Sequence, residues 1–320
     1  MNKLSSLNVS VLGENAEERA GAAALFGKKG SVDDIGFYHT VFQGKIVSAI
    51  DCVSYPAKLS PLLQAIELGD FALVLASRPS PALGEIIVAL DFLQKPSVFV
   101  SELDLAPFLS PTNLRDSKIF SSANEAKEFL YSWEVARMKG DSEKAIVFID
   151  HCFEVKGVGT VALGVVKKGV LRVHERMNAL PLGKLIEVKS IQKNDDNMKE
   201  ALAGDRVGLC IKGAESSEVP RGTVLASENS AKAVSEFECV VRASKFLKSS
   251  LKGEAMHLAA GLQFVPAALE IGGGSEVLPG GEARAKILCE KPVALGGCEI
   301  PLLCDLNAKG LRVLASAKPV

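Results

Sequence analysis

Gly13 ends a β-branched run, Val9-Ser10-Val11-Leu12, and leads directly into Glu14-Asn15-Ala16-Glu17-Glu18-Arg19-Ala20. A glycine between a short strand and a helix-forming segment is where a phosphate-gripping loop of pattern G-x-x-x-x-G-K-[ST] sits. Such a loop uses a second glycine for close backbone approach, a lysine for phosphate charge and a hydroxyl for Mg2+. Counted from Gly13, those three places hold Glu18, Arg19 and Ala20. Arg19 keeps a cation suited to two-pronged phosphate contact. The helix start offers unpaired N–H groups. Ala20 has no hydroxyl for a metal ion. Glu14, Glu17 and Glu18 oppose a polyanion, yet they also favour a bare helix start. The residues alone leave two readings open, an altered phosphate site and an ordinary strand–helix turn.

The elements that would position this turn alternate in texture over residues 7–135. Short apolar runs at 45–50, 71–76 and 97–101 suit buried parallel strands. Segments of helical period lie between them, at 16–26, 58–68, 84–93 and 124–133. Strand–helix alternation predicts a doubly wound α/β domain, with ligands beyond the carboxyl ends of its strands. Gly27-Lys28-Lys29-Gly30-Ser31 reads as a flexible basic turn. After a polar linker at 137–144 the texture changes. Short β-rich runs are separated by glycines every 8–12 residues, and only residues 195–203 read as a short helix in that region. A second polar break at 226–235 precedes another β-rich segment. The predicted organisation is an α/β domain at 1–142, a β-barrel at 143–228 and a second β-barrel at 229–320.

Composition narrows the function classes. The chain has 320 residues, 48% of them hydrophobic, which supports two or three real cores. A net charge of −1 does not announce a nucleic-acid binder, although a local basic face stays compatible with it. Seven cysteines without C-x-x-C spacing predict reduced thiols and a cytoplasmic protein. No apolar run reaches the ~18 residues that span a bilayer, and no signal peptide is expected. The four histidines, His39, His151, His174 and His257, lack partner spacing for a catalytic triad or a metal cluster. No catalytic residue and no metal ligand set is assigned.

One region is highly specific. It reads "FEVKGVGTVALGVVKKGVLRV", then "SIQKNDDNMKEALAGDRVGLCIKG", then "PRGTVLAS". This resembles the second domain of the translation elongation factors: elongation factor Tu, elongation factor 1-alpha and the selenocysteine-specific factor. Gly157, Gly159, Thr160, Val161, Gly164, Val166 and Gly169 fall on the pattern G-x-G-T-V-x-x-G-x-V-x-x-G. Ala203, Gly204, Asp205, Val207, Gly208, Arg221 and Gly222 continue it. Closing a small barrel needs glycine at its corners and bulges. "HLAAGLQFVPAALE", "EKPVALGGCEIPLL" and "LRVLASA" are similar to the family's third domain. The whole is similar to an archaeal-type paralogue with degenerate GTPase motifs.

That resemblance implies a first domain that binds GTP or GDP. Asp51-Cys52-Val53-Ser54-Tyr55 stands where the family has D-x-x-G-H, so Asp51 would hold a metal-bound water, while Tyr55 replaces the water-orienting histidine. Ser101-Glu102-Leu103-Asp104 stands for N-K-x-D, so Asp104 would accept the guanine N1–H and N2–H. Ser121-Ser122-Ala123 stands for S-A-x. The implied nucleotide set is Gly13, Glu14, Asn15, Ala16, Glu17, Glu18, Arg19, Ala20, Asp51, Asp104, Ser122 and Ala123, with Mg2+ in doubt because its ligands have changed. In the second domain the resemblance implies an aminoacyl-tRNA pocket. Asp150 would hold an ammonium group, His151 would stand beside it, Phe153 would stack on the terminal adenine, and Arg206 would pair with an anion. Lys245, Lys248, Lys252 and His257 fall where the family contacts the tRNA stem. The expected protein is a monomeric translation factor-like GTP binder with weak or absent hydrolysis, for which the ribosome is a candidate partner. The competing expectation is a pseudo-GTPase scaffold that binds tRNA or protein without nucleotide.

Overall fold

The computed structural model describes residues 5–133, 144–272 and 276–320. The expected linker at 137–144 lies almost wholly outside them. The first unit is a seven-stranded sheet built from β1 (Ser5–Gly13), β2 (Lys28–Val32), β3 (Gly36–Phe42), β4 (Lys45–Asp51), β5 (Phe71–Leu75), β6 (Ser97–Val100) and β7 (Lys118–Phe120). Their order is β2-β3-β4-β1-β5-β6-β7. From β4 to β7 the neighbours run parallel, and β2 and β3 form an antiparallel edge. Both faces are covered by helices. α1 (Ala16–Ala24) and α5 (Ala123–Ser132) pack on one face, and α2 (Ser60–Leu68) and α3 (Pro81–Phe92) on the other. A short α4 (Ala106–Leu109) follows β6.

Local chemistry explains the helix starts. Ser80 caps α3 by accepting from the Leu83 N–H, Pro81 follows it, and Ser122 caps α5 in the same way. β1 alternates strictly. Leu7, Val9 and Val11 enter the core under α1 and α5. Ser6, Asn8 and Ser10 point to the opposite face and are buried there too. That face meets other elements: Ser6 Oγ donates to Asp205 at 2.9 Å, Asn8 Nδ2 donates to the Gly204 carbonyl at 2.8 Å, and Ser10 Oγ donates to the Ala65 carbonyl. Two of these three polar residues thus tie the first unit to the barrel that follows.

That barrel closes from six strands: β8 (Ile146–Val155), β9 (Gly159–Lys168), β11 (Arg176–Leu180), β12 (Lys184–Lys193), β15 (Arg206–Lys212) and β16 (Val224–Ala226). Short strands β10 (Val170–Arg172), β13 (Asp196–Met198) and β14 (Glu200–Leu202) decorate it. A second closed barrel holds β17 (Lys232–Ala243), β18 (Ala255–Ala260), β19 (Gln263–Ile271), β20 (Glu282–Leu295), β21 (Leu302–Cys304) and β22 (Val313–Pro319). The expected fold class, an α/β domain followed by two all-β barrels, holds.

Two local expectations are corrected. Residues 195–203 form strands rather than a helix: Asn194 and Asp195 both take the left-handed conformation and turn β13 back on β12, and β14 then pairs with β10. Residues 28–32 form edge strand β2 rather than a flexible turn. Gly27 sits at φ 144°, where a side-chain carbon would lie 2.2 Å from the His39 carbonyl oxygen, so the chain enters the pairing with β3 close against it. The three units share one buried cluster. Leu62, Ile66 and Ile86 of the first meet Phe148 and Val165 of the second and Leu262 and Leu302 of the third. Among the described residues no helix is long and apolar enough to cross a membrane.

Candidate functional site

The turn after β1 is short, since only Glu14 and Asn15 separate Gly13 from α1. Asn15 caps the helix, and its side-chain oxygen accepts from the Glu17 N–H at 2.9 Å and the Glu18 N–H at 3.2 Å. The amides that would grip a phosphate are therefore taken by the chain itself. Glu14 turns outward to pair with Arg78 at 2.8 Å.

Arg19 is fully buried. Its Nε donates to Asp51 Oδ1 at 2.9 Å, and Nη1 donates to the carbonyls of Gly13 at 2.7 Å and Glu14 at 3.0 Å. Nη2 reaches the carbonyls of Cys52, Val53 and Tyr55 at 3.2, 3.2 and 3.0 Å. Six acceptors engage all five N–H groups, so none is left for an outside anion. Carbonyl oxygens rather than amides converge on this point. These residues do not fit a Mg2+–triphosphate group: Asp51 is committed to Arg19, Ala20 lacks a hydroxyl, and the helix amides are capped. Arg19, expected to reach toward a phosphate, is instead turned onto Asp51 and the chain's own carbonyls.

Beyond the ends of β5, β6 and β7 a cleft of about 480 Å3 remains, lined by Glu18 and Gly21 of α1, Ser101, Glu102, Ser121, Ser122 and Ala123, among others. Asp104 does not line it. Its carboxylate accepts from the N–H of Ala106, the first residue of α4, at 3.0 Å.

A second concave region lies where the first unit meets the first barrel. Asp33, Asp150, His151, Cys152, Ser216, Val219, Pro220 and Arg221 line about 380 Å3 there. Asp150 is 1% exposed and accepts from Arg206 twice, at 2.6 and 2.9 Å. His151 Nδ1 lies 2.9 Å from the same carboxylate. Burial would raise the Asp150 carboxyl, but the Arg206 charge and the His151 and Arg206 hydrogen bonds outweigh it and hold it below the usual range. Arg206 in turn lies over the Phe37 ring, 3.9 Å from its centre. His39, two residues along β3 on the same face, stacks on Phe37. Burial first, then the nearby Arg206 charge, push His39 down to about 4. Phe153 is 43% exposed and presents an open ring.

The sequence model of elongation factor Tu domain 2 matches residues 159–226. An uncharacterised protein of Methanocaldococcus jannaschii is 33% identical over 306 residues, covering 93% of this chain and 96% of its own. The selenocysteine-specific elongation factor of the same organism is 29% identical over 273 residues, which is 76% of this chain and 58% of that relative. The chain belongs to the elongation factor Tu/SelB-like family. The solved structure of translation elongation factor SelB from Methanococcus maripaludis, apo form, superposes with a TM-score of 0.82 at 22% identity, over 98% of this chain and 79% of that one. Its complex with the GTP analogue GppNHp gives the same TM-score and identity. The chain thus spans just over half the length of its selenocysteine-specific relative.

In this elongation factor-like chain the expected site residues separate into three places. Gly13 to Ala20 and Asp51 gather at the end of β1, closed around Arg19. Ser122 and Ala123 line the open cleft, and Asp104 stands outside it. Asp150, His151 and Arg206 come together, while Phe153 stands apart on the barrel surface. The Asp150 carboxylate is buried, takes two hydrogen bonds from Arg206 and lies 2.9 Å from His151. Sequence reasoning missed Phe37 and His39, whose alternation along Gly36-Phe37-Tyr38-His39 is the strand signal that marks them. It also missed the pairing of Asp33 with Arg221 at 3.4 Å. Lys248 and Lys252 line a groove of about 600 Å3 in the last barrel, whereas the His257 ring is half-buried against Phe264.

Proposed function

We propose that this chain is an elongation factor-like protein that engages aminoacyl-tRNA without carrying a guanosine triphosphate at the end of β1, its first domain serving as a scaffold. The observation that carries this reading is Arg19, whose buried guanidinium and six acceptors take up the space and the hydrogen-bonding groups a triphosphate would use. The acceptor end would lie in the groove lined by His151, Ser216 and Arg221, with the Phe153 ring offered for stacking. The lysines along 245–252 and Lys309 supply a sequence-independent charge contact for the stem.

Titration of the purified chain with fluorescent GTP and GDP analogues, with and without Mg2+, tests the first half. No saturable binding up to millimolar nucleotide is expected, and micromolar binding would overturn the reading. Anisotropy with fluorescently labelled aminoacyl-tRNA tests the second half, with uncharged tRNA as comparison.

A guanine-nucleotide-binding reading has one observation on its side, the open cleft beside Ser101, Glu102, Ser122 and Ala123. A nucleotide gripped from its base end only would bind with an affinity that Ser122→Trp removes and Arg19→Ala leaves unchanged.

A further inference from the structure

We infer that Arg19 is an internal clamp that holds the three domains in their closed arrangement and positions the wall of the acceptor groove, a task its side chain performs with no ligand at the end of β1. This rests on the reading that no triphosphate occupies that end.

The clamp starts with two pieces of chain that no strand ladder joins at this point. The carbonyls of Gly13 and Glu14 follow β1, and those of Cys52, Val53 and Tyr55 follow β4; the Arg19 guanidinium draws all five to one point. The Cys52 carbonyl also accepts from the Tyr55 N–H at 2.9 Å; buried carbonyls that lose their donor are costly, so the loop leans on this cation for its course. Two routes lead outward from the loop. Ser54 donates its Oγ to Asp34 at 2.7 Å and its N–H to the Asp34 carbonyl at 3.2 Å. The adjacent Asp33 pairs with Arg221, whose Nε donates to the Asp150 carbonyl at 3.1 Å. That route ends in the groove wall of the first barrel. On the other route, the Tyr55 hydroxyl donates to the Ala82 carbonyl at 2.9 Å. The Arg312 guanidinium lies 5.8 Å from the Tyr55 ring centre while it pairs with Glu85 of α3. That route ends in the last barrel. One side chain is therefore linked to both barrels through chains of intermediate contacts, by way of Ser54, Asp34, Asp33 and Arg221 on one side and Tyr55 and Arg312 on the other, a network whose coupling has to be measured.

Amide hydrogen exchange on the full chain measures it, comparing wild type, Arg19→Ala and Arg19→Lys. Arg19→Ala is expected to speed exchange roughly tenfold or more at the Ser54, Tyr55 and Arg312 amides, while Leu209 and Ile211 inside the first barrel keep wild-type rates. Adding about 20 mM guanidinium, far below denaturing concentrations, is expected to restore protection where equal sodium chloride does not. Arg19→Lys, with three donors for six acceptors, is expected to fall between. Unchanged exchange at Ser54 and Tyr55 would overturn the clamp, as would acceleration spread evenly over all three domains that guanidinium does not reverse. Should Arg19→Ala fail to fold, Arg19→Lys decides alone, and wild-type rates in it overturn the proposal. Nucleotide titration of the wild-type chain judges the underlying reading separately, because micromolar GTP binding would remove that reading whatever the exchange pattern shows.

Discussion

Phe37 of the first domain and Arg206 of the second lie face to face, with the guanidinium carbon 3.9 Å from the ring centre. The ring shields one face of a cation whose two forward N–H groups bind the buried Asp150 carboxylate. A contact between two domains thereby packs against the cation that, with His151, holds the Asp150 carboxyl below its usual range.

Removing that cation leaves a carboxylate buried and half-paired. Arg206→Met is expected to cost about 3 kcal/mol of folding stability. Urea unfolding of wild type and variant checks it, the midpoint falling at unchanged slope. The double variant Arg206→Met, Asp150→Leu should recover most of the loss, because both charges are then gone.

His39 gives the same region a pH dependence. In the unfolded chain its imidazole protonates near the ordinary value of 6.5, whereas in the folded chain it stays neutral down to about 4. Between those values the unfolded state binds more protons, so stability falls as the pH drops through that window. The slope from this one group is at most roughly 1.4 kcal/mol per pH unit. Thermal denaturation from pH 7 to pH 4 measures it, and His39→Gln should flatten the curve in that interval.

If the groove receives an acceptor end, Phe153 and the lysines act differently. Phe153→Ala is expected to weaken binding of labelled aminoacyl-tRNA by roughly 1–3 kcal/mol at every salt concentration. Its melting temperature should stay close to wild type, since the ring is 43% exposed. Each of Lys248→Ala and Lys252→Ala should lower the slope of log affinity against log salt by about 1. A Phe153 effect that vanishes in high salt would contradict stacking.

Gly164 tests the barrel itself. A side-chain carbon there would lie 2.3 Å from the Phe148 carbonyl oxygen on the neighbouring strand. Backbone cannot yield that far without breaking the β8–β9 pairing, so Gly164→Ala is expected to cost about 2–3 kcal/mol or prevent folding. Gly157→Ala, with open space around it but a left-handed φ of 83°, should cost about 1 kcal/mol. Circular dichroism melts of the two variants provide the comparison.

The glycine pattern around Gly159, Gly164 and Gly169 was legible in the sequence because barrel closure leaves few residues able to occupy those positions. The helices of the first domain were legible too, from the helical period of the segments at 16–26, 58–68, 84–93 and 124–133. The direction of Arg19 was not. Spacing places an arginine at the helix start, but whether its guanidinium meets a ligand or the chain's own carbonyls depends on how the loop at 52–55 is routed. Nor was the hairpin between β12 and β13 legible, since Asn194 and Asp195 read equally well as a helix start until their left-handed backbone is seen. The meeting of Phe37 with Arg206 depends on how two domains dock, which neither periodicity nor spacing encodes.

Strand β8 is apolar on both sides. Val147 and Ile149 fill its own barrel, while Ile146 and Phe148 enter the cluster shared with the neighbouring domains. A gene fragment encoding the middle barrel alone would therefore present Phe148, Val165 and Leu180 to water as a sticky flank. Dissecting this molecule into pieces for biochemistry should thus yield aggregation sooner than independent modules, and a stretch matched by one domain family is here not a self-sufficient part.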